Sequence, residues 1–484
     1  MVTIRTQVAI ALGAATLILA GCSSTPPAAT NSTATRAASG TAAGTAAAPT
    51  AAKVRLDTTF GKDGIATVPL SAAGHNRFMA VAVASDGKTY AAGFITEAGD
   101  QSMALARFDA KGALDKSFGK DGVASVNIAI GGKSAELARS LVIQSSGKIV
   151  IAGPVEHDPT AAGDAARDTD IGVARFDNTG KLDATFGKNG VATIDLGAGK
   201  LVGSAIVGDS PWGVGSLPGD KIAVFGTALA TGAGRTDADF VLVGLTAAGA
   251  LDTAFGTGGK VVVDIASSLD GARHMIVQAD GKIVASGYSN IAGVVQPVLI
   301  RTSAAGVLDR EFGKDGVATA KVLAGVTEAY SVSQQGSDYI AAGYGRGADA
   351  AEKVDLVVYR FKGNGTLDTA FGTQGLYRLD IAKDDDRARN VTVLPDGRIM
   401  ATGSGKKTAA NIDALIVLLS KDGAPEKSFG ADGALISDLG GPADAWYGIA
   451  VSADKKSVIV AGYKGTDAMS GGNDDAVLGR ITIG

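Results

Sequence analysis

Acidic residues recur at fixed places along this 484-residue chain, and they are the first groups to weigh for chemistry. An aspartate follows leucine in LDTTFGKDG, LDKSFGKDG, LDATFGKNG, LDTAFGTGG, LDREFGKDG and LDTAFGTQG, as Asp57, Asp115, Asp183, Asp252, Asp309 and Asp368; Glu426 takes that place in PEKSFGADG. A carboxylate entering a turn accepts the backbone N–H groups that follow it. An arginine recurs with it (Arg107, Arg175, Arg301, Arg360 and Arg480), so an arginine–carboxylate pair is also expected. Both roles are structural, since catalysis does not need one group in every repeat. A second acidic series, Asp170, Asp239, Asp355, Asp413 and Asp475, opens apolar runs in contexts such as DTDI and DADF. Loops of D-x-D type hold Ca²⁺ when several more oxygens and a closing bidentate Glu are supplied. The spacing here lacks both, so turn capping is expected and no metal site. Residues 383–387 (KDDDR) are expected to form a solvated loop.

Other constellations are thin. The three histidines, His75, His157 and His274, are scattered, and the lone cysteine, Cys22, excludes a disulfide framework and a Cys-based zinc site. No G-x-S-x-G elbow is present, and the GKDG strings lead into strands without phosphate-loop spacing. Only Trp212 and Trp446 are available for quinone-type docking. No catalytic residue and no cofactor are therefore expected. With 45 basic and 49 acidic side chains, net charge −4, nothing favours a nucleic-acid partner.

The elements that must position these groups repeat. The phenylalanines of the seven phrases are Phe60, Phe118, Phe186, Phe255, Phe312, Phe371 and Phe429, spaced by 58, 68, 69, 57, 59 and 58 residues. They are half of the 14 Phe, which implies one large apolar anchor per repeat. Each unit carries four strand-like runs. In the first these are residues 78–84 (FMAVAVA), 89–94 (TYAAGF), 103–108 (MALARF) and 123–128 (VASVNI), with Ser85-Asp86-Gly87 as a hairpin turn. No helical period is sustained beyond residue 56. Four short antiparallel strands in about 60 residues, seven times over, describe an all-β, seven-bladed β-propeller over residues 54–484. The domain opens with a lone fourth strand, residues 65–70, and stops on a third strand, residues 477–483. Pairing of that N-terminal strand into the last blade is expected to close the ring and remove the frayed edges.

Counting back from the first turn of each unit puts Met79, Arg139, Trp212, Arg273, Ala329, Arg389 and Tyr447 at one position, at the start of the innermost strand. That position is expected to face the mouth of a central channel. Arg139, Trp212, Arg273, Arg389 and Tyr447 are thus the candidate binding residues, suited to an anion, a glycan or a peptide terminus. The same side chains would also serve to plug the mouth or to pair with loop acids such as Asp384. The loops expected beside this mouth are the irregular ones, at 156–169, 197–210 and 227–238, whereas the opposite face repeats DGK and LDxxFG. A rigid frame that varies on one face implies docking there.

The N-terminus carries an address. Arg5 precedes an apolar run over residues 8–20, too short for a comfortable membrane span and suited to a signal peptide of residues 1–21. Leu19-Ala20-Gly21-Cys22 resembles the lipobox of bacterial lipoproteins, which implies that Cys22 is the lipidation site, acylated with chains such as palmitate. Residues 23–53 are low-complexity Ala/Thr/Ser/Pro, a tether spanning on the order of 30 Å. Ser23 after the cysteine leans toward the outer membrane. An exported, lipid-anchored protein of the bacterial cell envelope is expected, facing the periplasm or the cell surface.

The Asp-Gly-Lys turn with an apolar run ending in Ala-Gly (Asp86-Gly87-Lys88 to Ala92-Gly93), followed by Ala-Arg-Phe and LDxxFGxxG, resembles the bacterial delta-60 repeat. The resemblance covers residues 54–484 and implies a propeller in a secreted or surface context; it brings no catalytic residues. Local turns depart at Pro218-Gly219-Asp220-Lys221, Gln335-Gly336-Ser337-Asp338 and Asp454-Lys455-Lys456. The functional expectation is a monomeric binding or scaffold module for a protein, peptide or glycan partner, anchored to the membrane by its lipid. The alternative is an envelope hydrolase acting on a carbohydrate or lactone from the channel.

Overall fold

Continuous apolar runs and alternating runs occupy different places in each sheet. The computed structural model describes residues 54–483, apart from 71–74, 98, 129–135, 158–167, 203–204, 233, 407–410 and 466–473. The expected signal peptide, Cys22 and the tether lie outside the described residues. Second and third strands are buried on both faces and read as unbroken apolar sequence, as in Ile149–Glu156 and Asp413–Leu419. Fourth strands alternate, as in Ile65–Val68 and Val123–Val126, because one face meets solvent.

The described residues are all-β, with a single 3₁₀ turn at Pro218–Asp220 and no helix long and apolar enough to cross a membrane. The first sheet orders Arg77–Val83, Thr89–Glu97, Asp100–Phe108 and Val123–Val126 as an antiparallel meander. The same four-strand order recurs from Ser140–Ile143 to Val191–Ile194, from Ser210–Ser216 to Lys260–Val263, and from Arg387–Val393 to Ala434–Ser437. Between residues 270 and 379 two such units merge into a nine-stranded sheet through one parallel pair, Val295 with Val326. The irregular stretch at 197–210 contains an added hairpin, Lys200–Val202 with Ala205–Val207. These sheets are consistent with a β-propeller.

The first and last described strands meet. Ile65–Val68 pairs antiparallel with Asp475–Thr482, Ile65 facing Gly479 and Val68 facing Ala476, and Arg55–Leu56 pairs with the far end of the same strand. One apolar cluster accordingly joins Phe60, Val68 and Phe78 to Ile459 and Leu478.

All seven phrase phenylalanines are at most 2% exposed. Each ring reaches toward the next unit: a Cβ added at Gly112 would lie 2.7 Å from Phe60, and one at Gly423 2.6 Å from Phe371. The glycine after the phenylalanine donates its N–H across the same junction, Gly61 to the Lys111 carbonyl and Gly119 to the Thr179 carbonyl at 2.9 and 2.8 Å. One motif thus supplies both the apolar key and the polar latch between units.

Candidate functional site

The candidate site is made by bulges. In the first strand of five units the ladder skips a residue: Phe78 faces Gly93 and Ala80 faces Ala92, leaving Met79 without a partner. The same shift isolates Trp212, Arg273, Arg389 and Tyr447. A bulge re-aims the extra side chain. Here it needs glycine opposite, because the carbonyl before the bulge folds over the neighbouring strand. A Cβ at Gly93, Gly287, Gly403 or Gly462 would sit 1.8–2.2 Å from the carbonyl oxygen of Arg77, Gly271, Arg387 or Ala445. This is why the second strand of these units ends its apolar core in glycine.

The bulged residues converge. Met79, Trp212, Arg273, Arg389 and Tyr447 line a single void of about 40 Å³ with Arg139 and Tyr330 from the other two units, and with His274 and Asn390. All five residues singled out from the sequence are among them. The expectation of Ala329 in the fifth unit is corrected: Ala329 is fully buried in an apolar cluster, and Tyr330 lines the void. The turn explains the slip. In the first unit residues 85–87 form the loop, whereas Gln335 pairs directly with Asp338 and leaves a loop of two residues, so the same count back across the turn goes one residue too far, to Ala329.

Guanidinium groups and rings interleave around the void. Arg139 lies over Trp212 at 4.1 Å and Arg273 over the same ring at 4.7 Å. Arg273 and Arg389 flank Tyr330 at 5.1 and 4.9 Å, and Arg389 also lies over Tyr447 at 5.2 Å. Trp212 meets Tyr330 edge to face at 6.0 Å. The expected acid partner Asp384 bonds to Lys406 instead, at 3.1 Å. Arg273 pairs with the buried Glu328 at 2.9 Å. Arg139 donates to Ser210 Oγ at 2.9 Å; burial, then the nearby Arg273, hold its guanidinium down to about 10 against the pull of Tyr330. Arg389 Nε is buried with no hydrogen-bond partner among the described residues. Burial pushes His274 down to about 4, so it is neutral, and Val332 N–H points at its Nδ1 from 3.5 Å.

The phrase acids do what their spacing implies. Asp115 Oδ1 accepts from Ser117 N–H at 3.1 Å while Oδ2 accepts from Arg107 Nε at 2.9 Å, and Arg107 also donates to the Asn178 carbonyl of the next unit. Arg175, Arg301, Arg360 and Arg480 repeat the pair, the last with Asp57 at 2.7 Å. In the third unit, where Gly244 stands in place of the arginine, Lys221 pairs with Asp252 at 2.8 Å.

Sequence reasoning missed a buried acid series. Asp209, Asp270, Asp386 and Asp444 are at most 1% exposed and accept the N–H of Leu196, Ile265, Ile381 and Leu439 at 2.5–3.0 Å, pinning the chain as it leaves the preceding fourth strand. Burial pushes the first three up to about 7 and Asp444 up to about 6. Asp386 therefore corrects the reading of residues 383–387 as a solvated loop. The signal was available: the residue three before each void-lining position is Asn76, Glu136, Asp209, Asp270, Thr327, Asp386 or Asp444, each buried and polar.

Of the acids that open third strands, Asp170, Asp239, Asp355 and Asp475 pair with basic groups, where turn capping was expected. Arg235 bonds to Asp237, to Asp239 at 2.7 Å and to Asp264 at 2.8 Å; Arg378 bonds to Asp355; His157 Nδ1 lies 3.0 Å from Asp170 Oδ1. Three groups, His157/Asp170/Asp195, Asp239/Asp264/Asp270 and Asp355/Asp380/Asp386, each hold ligand-type atoms within 4.8 Å of one another. In the second and third groups an arginine already supplies the positive charge.

Two segments match a β-propeller family. Residues 84–118 and 278–312 match the family described as "Domain of unknown function (DUF5122) beta-propeller". No curated protein matches the chain. Among solved structures, a protein of unknown function from Dyadobacter fermentans DSM 18053 is 13% identical, with 88% of this chain and 99% of that one covered and a TM-score of 0.39. The polysaccharide lyase Uly1 is 10% identical over 88% of this chain and 93% of its own, TM-score 0.47. Sqt1 from Chaetomium thermophilum, solved with the N-terminus of ribosomal protein L10, is 10% identical over 84% and 97%, TM-score 0.40. These neighbours differ in activity, and likeness at this level carries no functional argument.

Proposed function

We propose that this protein is a lipid-anchored cell-envelope β-propeller that binds a protein, peptide or glycan partner at the mouth lined by its bulged residues. The observation that carries this reading is the convergence of one side chain from every unit on one void, six of the seven being arginine or aromatic. In this reading the units are seven blades of a closed ring, the N-terminal strand completing the last blade; the pairing of Ile65–Val68 with Asp475–Thr482 and the Arg480–Asp57 pair support it. Among the described residues the void is lined by three arginines and no carboxylate, and nothing in its lining favours the hydrolase alternative.

The docking test compares Arg139→Ala/Arg273→Ala/Arg389→Ala with charge reversal of the exposed Lys62, Lys120 and Lys314 on the repetitive face, using a pull-down from the envelope fraction. The arginine variant is expected to lose the partner and the lysine variant to keep it; the reverse result rejects the mouth. The anchor is tested separately. Cys22→Ala is expected to abolish incorporation of labelled fatty acid and release the protein from membranes, and labelling that persists in the variant rejects the lipobox.

A further inference from the structure

The charge balance of the void is unequal. Three guanidinium groups meet there, and Arg273 alone has a carboxylate partner among the described residues, Glu328. Arginine stays protonated at any ordinary pH and cannot relieve burial by losing its proton. Stacking on Trp212, Tyr330 and Tyr447 offsets part of the desolvation. It satisfies no N–H, and Arg389 Nε is left buried and unpaired among the described residues. A buried donor that none of these groups answers points to an acceptor from outside.

Size and shape narrow that acceptor. At roughly 10–15 Å³ per water-sized group, a void of about 40 Å³ has room for about three such groups. A carboxylate has three heavy atoms, two of them acceptors in one plane, and matches the arginine fork. A phosphate or sulfate has five. A sugar ring is larger still and would need a free aromatic face to stack on, yet Trp212 and Tyr330 each already carry two guanidinium groups and Tyr447 one. Only a slender end group reaches such a site.

We propose, resting on the reading of this mouth as the docking site, that the cage captures the free C-terminal carboxylate of a peptide. Arg389 brings the donor left unanswered among the described residues, Arg139, without a carboxylate partner among them, brings the second positive charge and donates to Ser210 Oγ, and Arg273, held by Glu328, is the positioned third wall.

The experiment is calorimetric titration of the full-length protein with tri-alanine, tri-alanine amide, glucuronate and inorganic phosphate. Tri-alanine is expected to bind at least tenfold more tightly than its amide and than either of the other anions. Arg389→Gln is expected to erase the difference between acid and amide. Equal binding of acid and amide overturns the proposal, as does tighter binding of glucuronate or phosphate. If the variant fails to fold, the comparison of acid with amide on the unaltered protein decides by itself. Loss of the natural partner in the triple arginine variant, with acid and amide bound equally, rejects the carboxylate and leaves the mouth standing; retention of the partner rejects the mouth itself.

Discussion

Asp270 shows how a single buried carboxyl ties local structure to pH. Its Oδ2 accepts the Ile265 N–H, its Oδ1 has no partner among the described residues, and Asp239, Asp264, Arg235 and Ser289 surround it. Burial raises it to about 7 from the ordinary value of about 3.9. Between those values the folded protein holds a proton that the unfolded chain has lost, so this contribution to stability is full at low pH and is lost as pH rises through about 7. His274, lowered to about 4, acts in the opposite sense: its contribution is lost as pH falls from about 6.5, where the unfolded chain takes up a proton that the folded one does not. The wild-type profile is therefore a balance, and a variant isolates one side. Asp270→Asn keeps an acceptor for Ile265 and places an NH₂ where the bare oxygen was. It is expected to raise the melting temperature strongly at pH 8 and much less at pH 5. Parallel melting curves for the two proteins across that range would show that Asp270 stays charged in the fold.

At the level of elements, the bulge and the glycine opposite it act as one device. A regular ladder would alternate the first strand's side chains between the two faces of its sheet. The inserted residue belongs to neither face and turns toward the void. Gly403 makes this possible for Arg389, since a side chain there would collide with the Arg387 carbonyl. Gly403→Ala is expected to cost about 1–3 kcal/mol, as overpacking does, and to move Arg389 out of the cage. Urea denaturation measures the first effect and loss of partner capture the second; an unshifted midpoint would mean that the backbone absorbs the methyl freely. The Ala-Gly ending of the second strand was legible as a motif, but its cause was not. It lies in a strand that reaches Gly403 only through the hairpin, at a carbonyl 16 residues away.

At the level of the whole molecule, the first described residues complete the last sheet. Asp475–Thr482 takes backbone bonds from Ile65–Val68 and Arg55–Leu56, Arg480 reaches Asp57, and Phe60 fills the apolar cluster beneath. Deleting residues 54–68 removes all of these together and leaves a bare strand edge beside an emptied aromatic site. A loss of several kcal/mol or aggregation is expected, since a large buried aromatic alone is worth about 3–5 kcal/mol. Single Asp57→Asn is expected to cost about 1 kcal/mol or less, because that pair is partly exposed. Thermal melting with size-exclusion chromatography checks both. A deletion variant as stable and monomeric as the parent would detach the N-terminal strand from the last sheet.

Features of short reach were written in the chain itself. The strand runs follow from apolar pattern, the phenylalanine anchors from their regular return, and the Asp–Arg pairs from a constant offset of eight residues within a unit, because each depends on neighbours in one sheet or on a motif that every unit repeats. Five of the six arginine and aromatic residues around the void were also found by counting, since the same position in each repeat must share one environment. What stacking of units decided was different in kind. Tyr330 replaced Ala329 through one residue fewer in a turn, Asp386 left an acidic run for the interior, and Arg273 found Glu328, 55 residues away, while Arg389 found no acid among the described residues. Those outcomes depend on where neighbouring sheets place their side chains and on how a bulge rotates one of them. A repeating pattern marks the position, but the partner comes from the next sheet, where the pattern is free to vary.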